Sequence, residues 1–190
     1  LFITTSDTSY IGQTIIQPGS VDFISGEQEE ARLLGLTITS SVLNIQNGSN
    51  PTLEYLVIRD NNNIKAIYCQ NAESPVIFKN ITISNNNNNW NNIVYLNNSQ
   101  VYFTNIKILN NTVSSSGTSI IQLGGNDEDV TFENGLITGN HAPYSIINHS
   151  GENYPKFINC TITDNTVDND NNGIIYTSQA NLFIINSILW

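Results

Sequence analysis

The sequence has no methionine, two cysteines, five prolines, and only 12% charged residues, with 6 Lys+Arg set against 16 Asp+Glu. Each shortage excludes something. A formal net charge of -10 repels phosphate backbones and anionic lipid, so neither nucleic acid nor an anionic membrane surface is an expected partner. No apolar run approaches the roughly 20 residues of a membrane-crossing helix, so no transmembrane segment is expected. Leu1 opens with neither the basic region nor the apolar run of a secretory signal. Lacking methionine as well, the sequence reads as a processed chain or a cut-out piece of a longer one.

Asparagine stands where charge is missing, in runs at 61–63 and 85–89. The 39% hydrophobic fraction is too high for wholesale disorder. At 190 residues one domain is the expectation, long enough to bury a continuous core.

An internal repeat organises that domain. Val76-x-Phe78-x-Asn80-Ile81-x-Ile83 recurs as Val101-x-Phe103-x-Asn105-Ile106-x-Ile108 and as Val130-x-Phe132-x-Asn134-Gly135-x-Ile137. Pro155-x-Phe157-x-Asn159-Cys160-x-Ile162 and Leu182-x-Ile184-x-Asn186-Ser187-x-Leu189 continue it, and Pro51-x-Leu53-x-Tyr55-Leu56-x-Ile58 precedes it with Tyr in place of Asn. From Leu53 to Ile184 the copies are 25, 25, 29, 25 and 27 residues apart, so loops vary between fixed strands. Within each copy, Val and Phe alternate with period two, and the apolar pair after the Asn restarts one residue out of phase. That phase break predicts a corner between two strands. Asparagine suits it, because it tolerates the left-handed backbone and hydrogen-bonds locally. A further strand lies ten to twelve residues upstream, around Tyr68, Val94, Ile120–Ile121, Ile146–Ile147 and Ile174–Ile175. The reading is therefore all-β: a right-handed parallel β-helix of six or seven coils of about 25 residues, with three short strands per coil and a structural Asn corner at Asn80, Asn105, Asn134, Asn159 and Asn186. Residues 1–30 are expected to form an irregular first coil or cap, and 31–190 the regular coils of one domain.

These motifs resemble the right-handed parallel β-helix repeats of the pectate-lyase-like superfold. More narrowly, Phe157-Ile158-Asn159-Cys160-Thr161-Ile162 looks like the coils of polymorphic outer-membrane and adhesin-type surface proteins. The resemblance implies a fold and leaves function open. For an enzyme of that superfold it implies outward carboxylates on neighbouring strands, and acid/base work on a glycosidic bond needs two of them about 5 to 9.5 Å apart. The strands around the repeated Ile pairs carry apolar residues at successive positions instead, as strands covered on both faces do. Ile93, Ile120, Ile121, Ile146, Ile147, Ile174 and Ile175 are accordingly read as an apolar stripe along the stack, a candidate interface, with a flattened coil burying both faces as the other reading.

Other candidates are local. Acidic residues gather in loops at Asp127, Glu128 and Asp129 and at Asp164, Asp168 and Asp170. In the segment 168–173, Asp168, Asp170 and Asn172 stand at positions one, three and five with Gly173 at six, as in calcium loops. Position twelve is Gln179, not Glu, so a solvated turn is expected, calcium is a weak candidate, and no other cofactor is expected. His141 and His149 have no Cys/His cluster or triad partner and read as loop residues. Thr37, Thr39, Thr82, Thr161 and Thr163 read as a polar outer face, interrupted by Lys107 and Leu136. Cys69 and Cys160 fall on coils three steps apart, roughly 14 Å at the usual strand spacing, too far for a disulfide, and read as small buried residues.

Six Asn-x-Ser/Thr sequons lie at Asn47, Asn80, Asn97, Asn110, Asn148 and Asn159. A corner ladder would bury Asn80 and Asn159, leaving Asn47, Asn97, Asn110 and Asn148 as the glycosylation candidates. Both ends read as strands without caps, so further coils of the same chain, or copies of it, are the expected partners, with glycans a further one. The leading functional expectation is an extracellular or cell-surface structural or adhesive solenoid, glycosylated and able to stack into filaments. The alternative is a polysaccharide lyase or glycoside hydrolase.

Overall fold

The computed structural model describes residues 14–125, 129–152, 154–168, 173–178 and 181–190. Among them every regular element is a strand, every strand pair is parallel, and consecutive coils pair in register. The chain is a parallel β-solenoid of about seven turns with about 25-residue spacing.

Three long sheets run its length. The first, the phenylalanine face, stacks Arg32–Leu34, Thr52–Glu54, Val76–Lys79, Val101–Thr104, Val130–Glu133, Lys156–Ile158 and Phe183–Ile185. The second, the threonine face, has eight strands, among them Val57–Arg59, Thr82–Ser84, Lys107–Leu109, Leu136–Thr138 and Thr161–Thr163. The third, the tyrosine face, stacks Gly19–Phe23, Ser41–Ile45, Ile67–Gln70, Val94–Asn97, Ser119–Gly124, Ser145–His149 and Ile175–Thr177. A fourth sheet, not anticipated from the sequence, is short: Asn87–Asn88, Thr112–Val113, His141–Ala142 and Thr166–Val167 sit between the threonine and tyrosine faces of the middle coils.

Left-handed corners turn the middle coils at three places. The anticipated one, between the phenylalanine and threonine faces, is Gly35, Tyr55, Asn80, Asn105, Asn134, Asn159 and Asn186, at φ of +48° to +72°. The second, after the threonine face, is Ser40, Asp60, Asn85, Asn110, Gly139 and Asp164, at +52° to +68°. The third, after the tyrosine face, includes Asn47, Asn71, Asn98 and Gly125. At each corner two successive residues face outward and the next turns in, which is the phase break seen in the sequence. Asn and Asp tolerate this backbone best after Gly. Gly139 fits the left-handed corner at φ of +68°, and a Cβ there would lie 2.3 Å from Asn110 Oδ1, so that side chain would have to move for any other residue.

The inward residues form columns. Phe78, Phe103, Phe132 and Phe157 stack with centroids 4.7, 4.9 and 4.9 Å apart, and all four are buried. Leu56, Ile81, Ile106 and Cys160 fill the column after the first corner. After the second corner the inward residue is a buried asparagine: Asn61, Asn86, Asn111 and Asn140, continued by the less buried Asn165. Each Oδ1 accepts a backbone N–H of the preceding coil, from Ser41 N to Asn61 Oδ1 (2.9 Å) and then between asparagines, as in Asn86 N to Asn111 Oδ1 (3.0 Å) and Asn111 N to Asn140 Oδ1 (2.9 Å). The same oxygens take the preceding Nδ2 at 2.8 and 2.9 Å. The other Nδ2 proton goes to a backbone carbonyl, Ile83 O for Asn111 (3.0 Å) and Ile108 O for Asn140 (2.8 Å). From Asn86 to Asn140 the buried polar column is thereby satisfied by its own amides and the adjacent backbone, while Asn61 Nδ2, at its start, is buried without a partner.

This relocates the internal ladder. The anticipated corner asparagines do bond one another, Asn105 Nδ2 to Asn80 Oδ1 at 3.0 Å and Asn186 Nδ2 to Asn159 Oδ1 at 2.7 Å, but they do so at the surface, with Asn105, Asn134, Asn159 and Asn186 exposed and Asn80 half-buried. A residue in the left-handed conformation occupies the outer side of the bend, and its successor fills the interior.

Two substitutions test these corners in opposite directions. Asn111→Asp replaces a donor that serves Ile83 O and Asn140 Oδ1 with an acceptor. It should cost at least about 3 kcal/mol at neutral pH. Burial raises the new carboxyl's pKa, so the loss is complete above that value and shrinks as pH falls toward about 4, where protonation restores a donor. Tyr55→Asn removes a bulky residue from φ of +54° and should stabilise by about 1 kcal/mol. Urea unfolding midpoints at neutral and mildly acidic pH measure both.

Candidate functional site

With the interior fixed by stacking, chemistry is confined to what faces outward. On the threonine face one outward column reads Val57, Thr82, Lys107, Leu136, Thr161 and Ile188, changing character at almost every coil. On the phenylalanine face the outward charges answer one another across coils: Glu54 Oε1 meets Arg32 Nη2 at 2.8 Å and Lys79 Nζ at 3.7 Å, and Asp129 Oδ2 meets Lys156 Nζ at 2.6 Å.

The tyrosine face differs. Its register places Asp22, Asn44, Tyr68, Tyr95, Gln122, Asn148 and Tyr176 in one outward column through seven coils. Beside it stand Gln70, Asn97 and Gly124. Tyr68 and Tyr95 stack almost parallel, centroids 5.3 Å apart and planes at 7°, so their edges and hydroxyls face outward. The Tyr68 hydroxyl bonds Gln70 Oε1. Asn44 Nδ2 donates to Asp22 Oδ1 at 2.9 Å and Asn148 Nδ2 to Gln122 Oε1 at 2.8 Å. Gln122 Nε2 reaches Ser150 Oγ at 3.1 Å, and Tyr176 takes the Tyr144 ring edge-on, centroids 5.3 Å apart.

One cation and one indole flank the tyrosine pair. Lys65 Nζ lies 5.6 and 5.9 Å from the Tyr68 and Tyr95 centroids and donates to Asn91 Oδ1 at 3.0 Å. Partial burial lowers its pKa, and burial followed by the neighbouring Tyr68 raises that of Tyr95. Trp90 is 71% exposed on the loop entering this face. That loop is pinned by the buried Asn88, whose Oδ1 accepts from Trp90 N (3.1 Å) and Asn91 N (3.0 Å). Amides carry no titratable proton near neutrality, so the column can hold and orient a ligand without proton transfer.

The apolar stripe is not on the surface. Ile93, Ile120, Ile121, Ile146 and Ile147 are fully buried, and Ile174 and Ile175 half-buried. Strict alternation fails here because two successive amides share one acceptor: Ile146 N and Ile147 N both reach Ile174 O at 3.0 Å, and Ala66 N and Ile67 N both reach Ile93 O, at 2.8 and 3.2 Å. This bulge-like bend turns both side chains inward. His149 is likewise no loop residue. It points into the core from Ser145–His149, in register with Leu123. His141 opens a strand of the short sheet, its Nδ1 2.9 Å from Thr166 Oγ1 and its Nε2 3.6 Å from Asp168 Oδ2. Of the calcium candidates, Asp168 makes that contact, while Asp170 and Asn172 lie outside the described residues, as do Asp127 and Glu128. No group of three or more His, Cys, Asp or Glu that could hold a metal occurs among the described residues.

Of the sequons, Asn47 and Asn110 are exposed corners, and Asn97 and Asn148 are half-buried on the tyrosine face. Asn80 and Asn159, expected inside, sit at the outward corner. No family model matches the chain and no curated protein matches its sequence, so the fold defines its class, a parallel β-solenoid repeat protein. No helix among the described residues is long and apolar enough to cross a membrane.

Cys69 and Cys160 are both free and buried, as the repeat implies. Burial pushes the Cys69 thiol up to about 12 and also raises Cys160. Because the fold favours thiol over thiolate, the Cys69 contribution is intact below about pH 9 and lost as pH rises toward 12. Alkylation of the native protein should leave both thiols unmodified, with labelling only on unfolding. Cys69→Val should flatten the alkaline decline in unfolding free energy.

Proposed function

We propose that this chain is a structural and adhesive β-solenoid working outside the cell or at its surface, a rigid rod that presents a contact face and performs no turnover. The supporting observation is the tyrosine-face column, which runs through seven coils and offers aromatic and amide groups without a catalytic acid or base between Asn44 and Tyr176. Extracellular location is supported by the six sequons and by an acidic surface poor in cations. Assembly belongs to the same proposal, since the edge of a parallel solenoid can pair with a further coil, of the same chain or of a second copy.

The enzyme reading has one observation in its favour, a cleft lined by Glu29, Glu30, Arg32, Thr52, Glu54 and Lys79 that combines carboxylates with cations as a polysaccharide lyase would require. Its central carboxylate, Glu54, already pairs with both Arg32 and Lys79, which favours a structural role.

Incubation with pectin, alginate and neutral glycans, with and without calcium, should give no cleavage. Turnover that Glu54→Gln abolishes would replace this proposal with the enzyme reading. Negative-stain microscopy should show rods joined end to end. Secreted from a glycosylating host, Asn110 should carry glycan because it is exposed with its oxygen against Gly139. Asn148 should not, because its Nδ2 is held by Gln122. Glycopeptide mass spectrometry distinguishes the two sites.

A further inference from the structure

Tyr68 and Tyr95 occupy the same position on successive strands of the tyrosine face. Among the described residues they are the one pair of tyrosines in register with each other, since the column continues to Asn44 on one side and to Gln122 on the other. Parallel pairing at one strand spacing of about 4.8 Å lays the second ring over the first. Their centroids are 5.3 Å apart and their planes 7° from parallel, so the carbons ortho to one hydroxyl lie alongside their equivalents on the next ring. Lys65 Nζ holds the pair from one side, 5.6 and 5.9 Å from the two centroids and anchored on Asn91 Oδ1 at 3.0 Å. Both residues are half-buried, which leaves the outward edges of the rings open to a small oxidant.

The other tyrosines lack this geometry. Tyr102 stands between Ile77 and Thr131. Tyr144 meets Tyr176 at 72°, which turns the edge of one ring to the face of the other. Tyr154 meets Phe183 and no second phenol.

We propose that Tyr68 and Tyr95 form a cross-linking site, joined by a haem peroxidase and hydrogen peroxide into a dityrosine that staples one coil to the next. Each phenol gives up one electron and its hydroxyl proton, leaving a neutral radical whose unpaired electron is shared with the ortho carbons. Burial, then the neighbouring Tyr68, raises the pKa of Tyr95, so Tyr95 enters the reaction as the phenol and loses electron and proton together. One carbon–carbon bond then forms between an ortho carbon of each ring, as the rings tilt from stacked to edge-on. The hydrogen on each joined carbon moves to its oxygen and restores two phenols. The two electrons and two protons removed reduce one hydrogen peroxide to two waters. The link suits a solenoid whose cysteines, Cys69 and Cys160, are both free and buried: it closes the segment 68–95 and restricts the unfolded chain as a disulfide would. Use of the link by the organism rests on the extracellular reading, because an oxidising setting supplies the peroxide.

The test is treatment of the intact chain, dilute and folded, with a haem peroxidase and equimolar hydrogen peroxide, followed by dityrosine fluorescence and tryptic peptide mass spectrometry. The expected product is a monomer lighter by two hydrogen atoms, with peptide 66–79 joined to peptide 80–107 and a raised urea unfolding midpoint. Tyr68→Phe and Tyr95→Phe should each abolish that joined peptide with the far-UV circular dichroism unchanged, whereas Tyr102→Phe, which alters the other tyrosine of peptide 80–107, should leave it in place. In urea the preference for this pair should be lost. Absence of the Tyr68–Tyr95 link in the folded protein, its formation in equal yield from the unfolded chain, or coupling mainly between molecules would each overturn the proposal. The coupling is read on the purified protein wherever the protein resides, so its failure leaves the adhesive reading standing, and glycan cleavage, which would remove that reading, leaves the coupling result unchanged.

Discussion

Every coil of this protein lies on another at one strand spacing with its backbone paired in register, and this constraint governs the rest. A side chain at a given position in one coil has its equivalents directly above and below as its nearest neighbours. Inside, the solution is to repeat the same chemistry. Phenylalanine stacks on phenylalanine at 4.7 to 4.9 Å, adding about 0.5 to 1.5 kcal/mol per pair beyond area burial. Asparagine stacks on asparagine in the second-corner column, where the carboxamides of Asn111, Asn140 and Asn165 serve their neighbours' donors. A lone buried amide would be destabilising. A column of them is nearly self-sufficient, and it ties the corner backbone of one coil to the next.

The same constraint explains which parts were legible in the sequence. The Val, Phe and Ile columns recur at matched offsets in five copies, so coil, period and first corner could all be read directly. The buried column was equally periodic, since Asn61, Asn86, Asn111, Asn140 and Asn165 each lie three residues after an inward isoleucine (Ile58, Ile83, Ile108, Ile137 and Ile162). It is hard to see because it sits within or beside asparagine-rich stretches, where polar residues read as loop, and because the phase break points to the asparagines of the first corner as the inward ladder. The outward ladder at Asn80 and its equivalents is real but exposed. The sequence pattern alone does not reveal which of two consecutive residues at a corner turns inward; the left-handed φ of the first decides it.

The isoleucine pairs failed for a different reason. Period-two alternation forces one member of each pair outward, and that inference is sound for an unbroken strand. Here the strand begins in a bend where Ile146 N and Ile147 N converge on one carbonyl, and alternation resumes only afterwards. His149 follows from the resumed phase: with Ile147 inward and Asn148 outward, it must turn in. The candidate site was the least legible part. Asp22, Asn44, Tyr68, Tyr95, Gln122, Asn148 and Tyr176 are not one repeated residue and are separated by loops of unequal length, so only the strand register brings them into one column.

The interior and exterior of a solenoid are therefore under different rules, and function follows from the difference. An inward column must repeat or the stack loses contacts at every coil, so it leaves little freedom for specialised chemistry. An outward column has no such obligation, as the threonine face shows by changing from Thr82 to Lys107 to Leu136 in successive coils. Where an outward column nevertheless stays within one chemical class, aromatic or amide from Asn44 to Tyr176, the stacking of the fold does not require it. Neutrality sharpens the point. In a chain with 16 acids and 6 bases, a strip without charge is the surface that a second body can cover without desolvating an unpaired ion, a step that elsewhere on the molecule would oppose association. The fold thus provides one long face on which contact meets the least electrostatic resistance.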